Sequence, residues 1–157
     1  DMSKYSPTEF WVGAKYYQGT RSPNNAERED IGYSSAWLHH KGRNKHHYEY
    51  WIDYSMQALP GGMAPVPMPD KYIAEMIMDR IAASKVYMGG EYTDRSPLDY
   101  YYQGTDRAPI HPETKAKLLY VLEMLAEEGE EKTFRFIKEE LVQHKRCMDW
   151  HQLEKAE

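Results

Sequence analysis

The sequence is poor in cysteine and has no long apolar run. Cys147 is its single cysteine, so the chain cannot form an intrachain disulfide, and nothing in it argues against a reducing compartment. A membrane-spanning helix needs about 18 consecutive apolar residues. No segment comes close to that length, and no signal peptide is visible. We therefore expect a cytoplasmic protein with no membrane partner.

Basic residues are in the minority, with 20 Lys and Arg against 25 Asp and Glu and a net charge of -5. General nucleic-acid binding depends on neutralising phosphates with Lys and Arg, so the overall charge disfavours it. A local basic strip, defined by Lys41, Arg43 and Lys45, is compatible with binding of a small phosphorylated ligand. The sequence also leaves open whether the chain forms a homo-oligomer.

The chain length and the helix signals predict the fold class. The 157 residues suffice for one domain with a single core. Four prolines and two glycines fall within residues 59–69, which excludes regular structure there. No segment has the alternation of a strand, so we predict an all-α fold, a compact helical bundle that forms a single domain over residues 1–157. The predicted helices span residues 7–18, 26–40, 46–56, 70–88, 96–103, 112–128 and 130 almost to the end.

Helical spacing also predicts which side chains form the core. In the first helix, Phe10, Trp11, Ala14 and Tyr17 have core-like spacing. The clearest apolar face belongs to the helix over residues 70–88. Its members are Tyr72, Ile73, Met76, Ile77 and Ile81.

Histidines are concentrated in one short segment. Four of the seven lie at positions 39, 40, 46 and 47, between Trp37 and Trp51. Residues seven apart on one straight helix lie about 10.5 Å apart, too far to share an ion. Gly42 and Asn44 interrupt the helical pattern, so a turn can fold His40 back towards His46 and His47. Because histidine is the commonest metal ligand, we predict a metal or ligand site here.

The alternative is a solvated polar turn in which the histidines bind no ligand. Two carboxylates are relevant to the choice between a metal site and such a turn. Glu49 lies close to the cluster in sequence, yet it suits a helix surface equally well. Asp79 lies among the apolar residues of its helix, where a buried carboxylate needs a partner, and either a metal or Arg80 can supply one.

The N-terminal residues Asp1-Met2-Ser3-Lys4 resemble the Asp-x-x-Lys half of the His-Asp-x-x-Lys signature of HD-domain metal-dependent phosphohydrolases. Further histidines, often with an adjacent pair, and a lone aspartate on a later helix follow in that superfamily. In this sequence the residues that resemble these histidines and this aspartate are His40, the pair His46-His47, and Asp79. The segments 37–51 and 75–80 also resemble an uncharacterised bacterial and phage family that carries this HD-like pattern and has no established function.

The resemblance implies an HD-domain-like bundle with a mononuclear or dinuclear site that hydrolyses a phosphate ester. In that superfamily the signature's own histidine precedes the aspartate, and a further upstream helix usually supplies another histidine. This sequence contains neither, so the resemblance implies a bundle that lacks its N-terminal helix. By the resemblance, Lys4 faces the substrate phosphate. The implied metal ligands are Asp1, His40, His46, His47 and Asp79.

The predicted reaction uses a divalent metal ion (Fe, Mn, Co, Ni, Zn or Mg) that lowers the pKa of a bound water towards about 7. Lys4 and Glu49 are the predicted catalytic residues, and Lys41, Arg43 and Asn44 are predicted to bind a nucleotide or small phosphomonoester. Cationic side chains would neutralise charge that develops on the phosphoryl oxygens. The alternative is a non-catalytic, metal- or ligand-binding helical module that acts through a protein partner.

Overall fold

Helices make up most of the protein, so the predicted all-α class is confirmed. A computed structural model describes residues 7–17, 22–56 and 62–144. The chain divides into two compact units, residues 1–50 and 51–157. A single domain over residues 1–157 stays a prediction. Among the helices of these described ranges, none combines the length and the apolar composition that a membrane span requires.

Over the part of the first unit that the structure describes there are three α-helices, α1 Pro7–Tyr16, α2 Pro23–Ile31 and α3 Ser35–Arg43. Helix α1 contacts both of the others. The single helix predicted over residues 26–40 is therefore wrong. Gly32 ends α2 in the left-handed region, with a φ of 84° that glycine adopts without strain. Two residues later the Ser34 side chain accepts a hydrogen bond from the Trp37 amide at 3.1 Å and starts α3.

The predicted core face of α1 is also wrong. Phe10 is 61% and Trp11 69% exposed, and Ala14 and Tyr17 are exposed as well. The helix instead buries Val12. Aromatic residues at helical spacing suggested a core, but the packing of α2 and α3 decides which face of α1 is covered.

A small antiparallel sheet follows the first unit, although no strand was predicted. Strand β1 Ile52–Tyr54 pairs with β2 Met63–Pro65, with Ile52 opposite Pro65. The helix predicted over residues 46–56 is replaced by a 3₁₀ turn, Tyr48–Trp51, and β1. Pairing with a segment beyond the next turn was not visible in local sequence, and Pro65 is tolerated because a two-stranded sheet consists of edge strands.

Among its described residues, the second unit contains four α-helices in the predicted order. They are α4 Asp70–Met88, α5 Ser96–Tyr102, α6 Pro112–Glu128 and α7 Glu130–Phe136, and a π-helical segment Ile137–Val142 continues α7. Gly89 follows α4 with a positive φ, and the predicted bounds of this helix, residues 70–88, are confirmed. Four of the five residues predicted for the apolar face of α4 are buried, and Tyr72 is half-buried. The large aliphatic side chains of this core that are fully buried are Ile73, Ile77, Leu118, Leu122, Leu125 and Leu141.

A buried lysine joins two helices of this core. The Lys117 side chain on α6 is 6% exposed, and its ammonium group donates to Asp70 Oδ1 of α4 and to Glu113 Oε1, both at 2.7 Å. Burial lowers the pKa of Lys117, but the two carboxylates outweigh burial and raise it above its ordinary value. Lys117 therefore stays charged and holds the start of α4 against α6.

Lys117→Met should lower the free energy of unfolding by about 2–3 kcal/mol, because both carboxylates lose a charged hydrogen bond and then repel each other. Urea unfolding followed by circular dichroism at pH 7 measures the change. Lys132→Met is the matched control, since Lys132 is 67% exposed in its pair with Glu128, and it should cost under about 0.5 kcal/mol. Equal costs for the two variants would contradict this assignment.

Candidate metal centre

Three imidazole rings of the first unit meet at the end of α3. His40, His46 and His47 each present a possible ligand atom, and these atoms all lie within 4.8 Å of one another. The ring centroids are 5.8 Å apart for His40 and His46, 4.7 Å for His40 and His47, and 4.3 Å for His46 and His47. The chain thus folds back after α3 as the helix interruption suggested, although ligation by these rings stays a prediction.

Asn44 makes this reversal by ending α3 in an extended conformation. It is buried, and its side-chain Nδ2 donates to the His40 carbonyl at 2.8 Å and lies 2.9 Å from His40 Nδ1. The His47 amide then donates to the Asn44 carbonyl at 3.2 Å. These bonds satisfy carbonyl groups at the helix end and set His46 and His47 beside His40.

The rings lie in a largely dry environment. His40 is 6% and His46 3% exposed, and the Trp37 ring packs edge-on against His47 with centroids 4.8 Å apart. Ligand nitrogens around a tetrahedral ion lie about 3.4 Å apart, given metal–nitrogen bonds of about 2.1 Å. Small rotations of the three side chains that shorten the nitrogen–nitrogen distances by roughly 1 Å would therefore let the three rings bind one ion.

Glu9 on α1 extends the group, and no prediction assigned it a role in the site. Its side chain is 11% exposed, with Oε2 3.0 Å from His39 Nδ1 and Oε1 3.9 Å from His40 Nδ1. His39 Nε2 lies 3.2 Å from Arg43 Nη1. In the sequence Glu9 is the last residue of Ser6-Pro7-Thr8-Glu9, which has the pattern of a helix capping box. That pattern does not predict the contact with α3, because the contact depends on how the two helices pack.

The other predicted site residues lie in different surroundings. Asp1 and Lys4 lie outside the described residues. Asp79 is half-buried on α4 of the second unit, and its role as a ligand stays a prediction. Lys41 is half-buried and Arg43 exposed on the last turn of α3.

Two predicted residues lie within or directly after the turn itself. Asn44 is engaged with His40 as described above, and its predicted contact with substrate stays a prediction. Glu49 is half-buried in the 3₁₀ turn. Its Oε2 atom is buried and has no hydrogen-bond partner in the part of the chain that the structure describes.

The fold and this cluster define a mostly helical protein with a histidine-rich turn. The chain belongs to a family of unknown function, DUF5662, whose model matches residues 1–124. That match includes the whole first unit and therefore all three clustered histidines. Neither the curated proteins nor the solved structures contain a match to the chain. The relation to HD-domain phosphohydrolases stays a prediction.

A second carboxylate, Glu27 of α2, stabilises the start of the helix that carries His40. Glu27 is 3% exposed and accepts hydrogen bonds from the hydroxyls of Ser34 at 2.7 Å and Ser35 at 2.6 Å. Burial raises the pKa of the Glu27 carboxyl, but these bonds and the amides of Ser35 and Ala36 outweigh it and lower the pKa below 4.5. The negative charge also lies favourably at the N-terminus of α3.

The stabilisation by Glu27 should depend on pH. Since its folded-state pKa is lowered, the contribution is fully present above the unfolded value of 4.5 and is lost as the pH falls through the folded value. Glu27→Gln should cost about 1–3 kcal/mol at pH 7, and the gap to wild type should shrink below that unfolded pKa. Chemical unfolding from pH 7 to 3 tests this, with the exposed Glu29→Gln as control. A constant gap across this range would refute the assignment.

Proposed function

We propose that this protein binds a divalent transition-metal ion through His40, His46 and His47. The convergence of three ring nitrogens within 4.8 Å is the observation that carries the proposal. Imidazole ligands suit zinc, iron, cobalt and nickel, whereas magnesium prefers oxygen. Of the metals predicted from the sequence, the nitrogen donors therefore favour zinc, iron, cobalt and nickel.

Three protein ligands suit a catalytic site better than a structural one. Structural zinc sites are closed by four protein ligands, whereas catalytic sites keep a position for water or substrate. A bound metal ion supplies a water whose pKa is lowered towards about 7. Glu49 follows His47 by two residues, and its buried Oε2 lacks a hydrogen-bond partner among the described residues. Its proposed role is to accept the proton of the attacking water.

The proposed reaction is hydrolysis of a phosphate ester. The basic strip Lys41, Arg43 and Lys45 lies within the same α3 end and turn as the histidines, and its charge suits a phosphate group. Water would add its oxygen to phosphorus, the ester P–O bond would break, and the alcohol would leave with a proton. The resemblance to HD-domain enzymes supports this reaction class, with a nucleotide or small phosphomonoester as substrate.

A non-catalytic metal-binding module is the second candidate, and burial of the rings favours it. His40 and His46 are almost inaccessible to solvent, and Trp37 packs against His47. A site closed in this way would stabilise the α3 end instead of exposing an ion to substrate. Such a module would act through a protein partner.

The full chain should bind about one zinc or cobalt ion, and His46→Ala should weaken binding by at least about 100-fold, since losing a ligand exceeds the loss of an outer partner. Elemental analysis after metal-free purification and competition with a chromogenic chelator measure stoichiometry and affinity. His144→Ala is the control because His144 is 65% exposed and lies outside the cluster. Absence of metal in the wild type would refute the proposed site.

If the site is catalytic, the metal-loaded chain should hydrolyse a member of a phosphomonoester and nucleotide panel. Glu49→Gln should then keep the metal while lowering kcat by about 100-fold or more, as expected for loss of a general base. Metal content and phosphate release are measured on the same samples. Stoichiometric metal with no hydrolysis of any panel member would exclude this activity and support the non-catalytic module.

A further inference from the structure

Only one of the two carboxylate oxygens of Glu9 has a hydrogen-bond partner among the described residues. Oε2 pairs with His39 Nδ1 at 3.0 Å. The other oxygen, Oε1, is buried, lies 3.9 Å from His40 Nδ1, and has no hydrogen-bond partner within the described residues. A buried carboxylate oxygen without a hydrogen bond costs free energy. Its position beside His40 therefore indicates a functional role for this oxygen.

The contacts of the His40 ring indicate the role of Glu9 Oε1. Asn44 Nδ2 can only donate, and it lies 2.9 Å from His40 Nδ1. The ring in this geometry therefore accepts at Nδ1 and carries its proton at Nε2. An ion at Nε2 requires the opposite neutral tautomer, in which Nδ1 carries the proton. Asn44 Nδ2 cannot accept that proton, whereas Glu9 Oε1 can.

We propose that Glu9 is a positioning residue for His40 and accepts its Nδ1–H when Nε2 binds the metal. This inference rests on the proposed metal site. The Nδ1 to Oε1 distance would close from 3.9 Å to about 2.9 Å, a normal hydrogen bond. The ring proton changes nitrogen by exchange with solvent, so the tautomer change itself leaves the number of protons on His40 unchanged.

Charge supports the same role for Glu9. Three neutral imidazoles leave the two positive charges of the ion uncompensated, and the flanking Lys41, Arg43 and Lys45 add positive charge. Burying an uncompensated charge is costly. The Glu9 carboxylate, 11% exposed, places a negative charge directly behind one ligand. Carboxylates that accept a hydrogen bond from a metal-bound histidine fix its orientation and raise its basicity.

The test compares zinc and cobalt affinities of the full chain with those of Glu9→Gln, His39→Ala and Glu29→Gln. Glu9→Gln should weaken zinc binding by about 10–100-fold and shift the visible absorption of the bound cobalt. His39→Ala and Glu29→Gln should bind within about threefold of wild type, a change under 1 kcal/mol. Thermal unfolding of each metal-free variant shows that the fold is kept, and Glu9→Asp, which retains the carboxylate, should recover part of the affinity.

Nitrogen-15 NMR of the histidine side chains provides a readout that a purely structural role of Glu9 would not move. In the wild type the His40 proton should be on Nε2 without metal and on Nδ1 with zinc. In zinc-loaded Glu9→Gln the Nδ1–H proton signal should lie further upfield, because that proton has lost its charged acceptor. If Glu9→Gln binds zinc as tightly as wild type, the role of Glu9 is refuted while the metal site stands. If the wild type itself binds neither metal, the proposed function fails first. If His39→Ala weakens binding as much as Glu9→Gln, the effect belongs to the His39 pair and the proposal is overturned.

Discussion

The hydrogen bonds that the backbone and side-chain amides of Asn44 donate to the His40 carbonyl are the interactions on which the candidate site depends. They end α3 after Arg43 and turn the chain so that two histidines which follow in sequence come beside one that precedes. Without this reversal the helix would hold positions 40 and 47 about 10.5 Å apart. One buried amide therefore both satisfies a helix terminus and assembles three imidazoles.

Carboxylates from two neighbouring helices secure the two ends of α3. Glu27 of α2 binds the hydroxyls that begin the helix, and Glu9 of α1 contacts the histidines near its end. Both side chains are largely buried, and both are opposed by hydrogen-bond donors. The first unit therefore uses its buried charges to position the helix that leads into the histidine turn, since an ionised carboxylate is stable in the interior only with such partners.

Local signals were sufficient where the determinants lie within one helix. The bounds of α4 and α6 followed from Pro69, Pro112, Gly89 and the 3.6-residue apolar spacing, because capping and side-chain periodicity act over a few residues. The same reasoning joined α2 and α3 into one helix, since Gly32 and Ser34 were not recognised as a stop and a start. The strands were missed because β1 pairs with a segment several residues further along the chain.

The sequence by itself determined the helical class, most helix bounds of the second unit, and the concentration of histidines around the break at Gly42 and Asn44. These are properties of short segments, set by backbone preferences and side-chain spacing. Only the tertiary structure decided that α1 buries Val12 while Phe10 and Trp11 remain exposed, and that Glu9 lies against His39 and His40. The reason is physical: helix packing brings together residues about thirty positions apart, and no local preference specifies which faces of two helices meet.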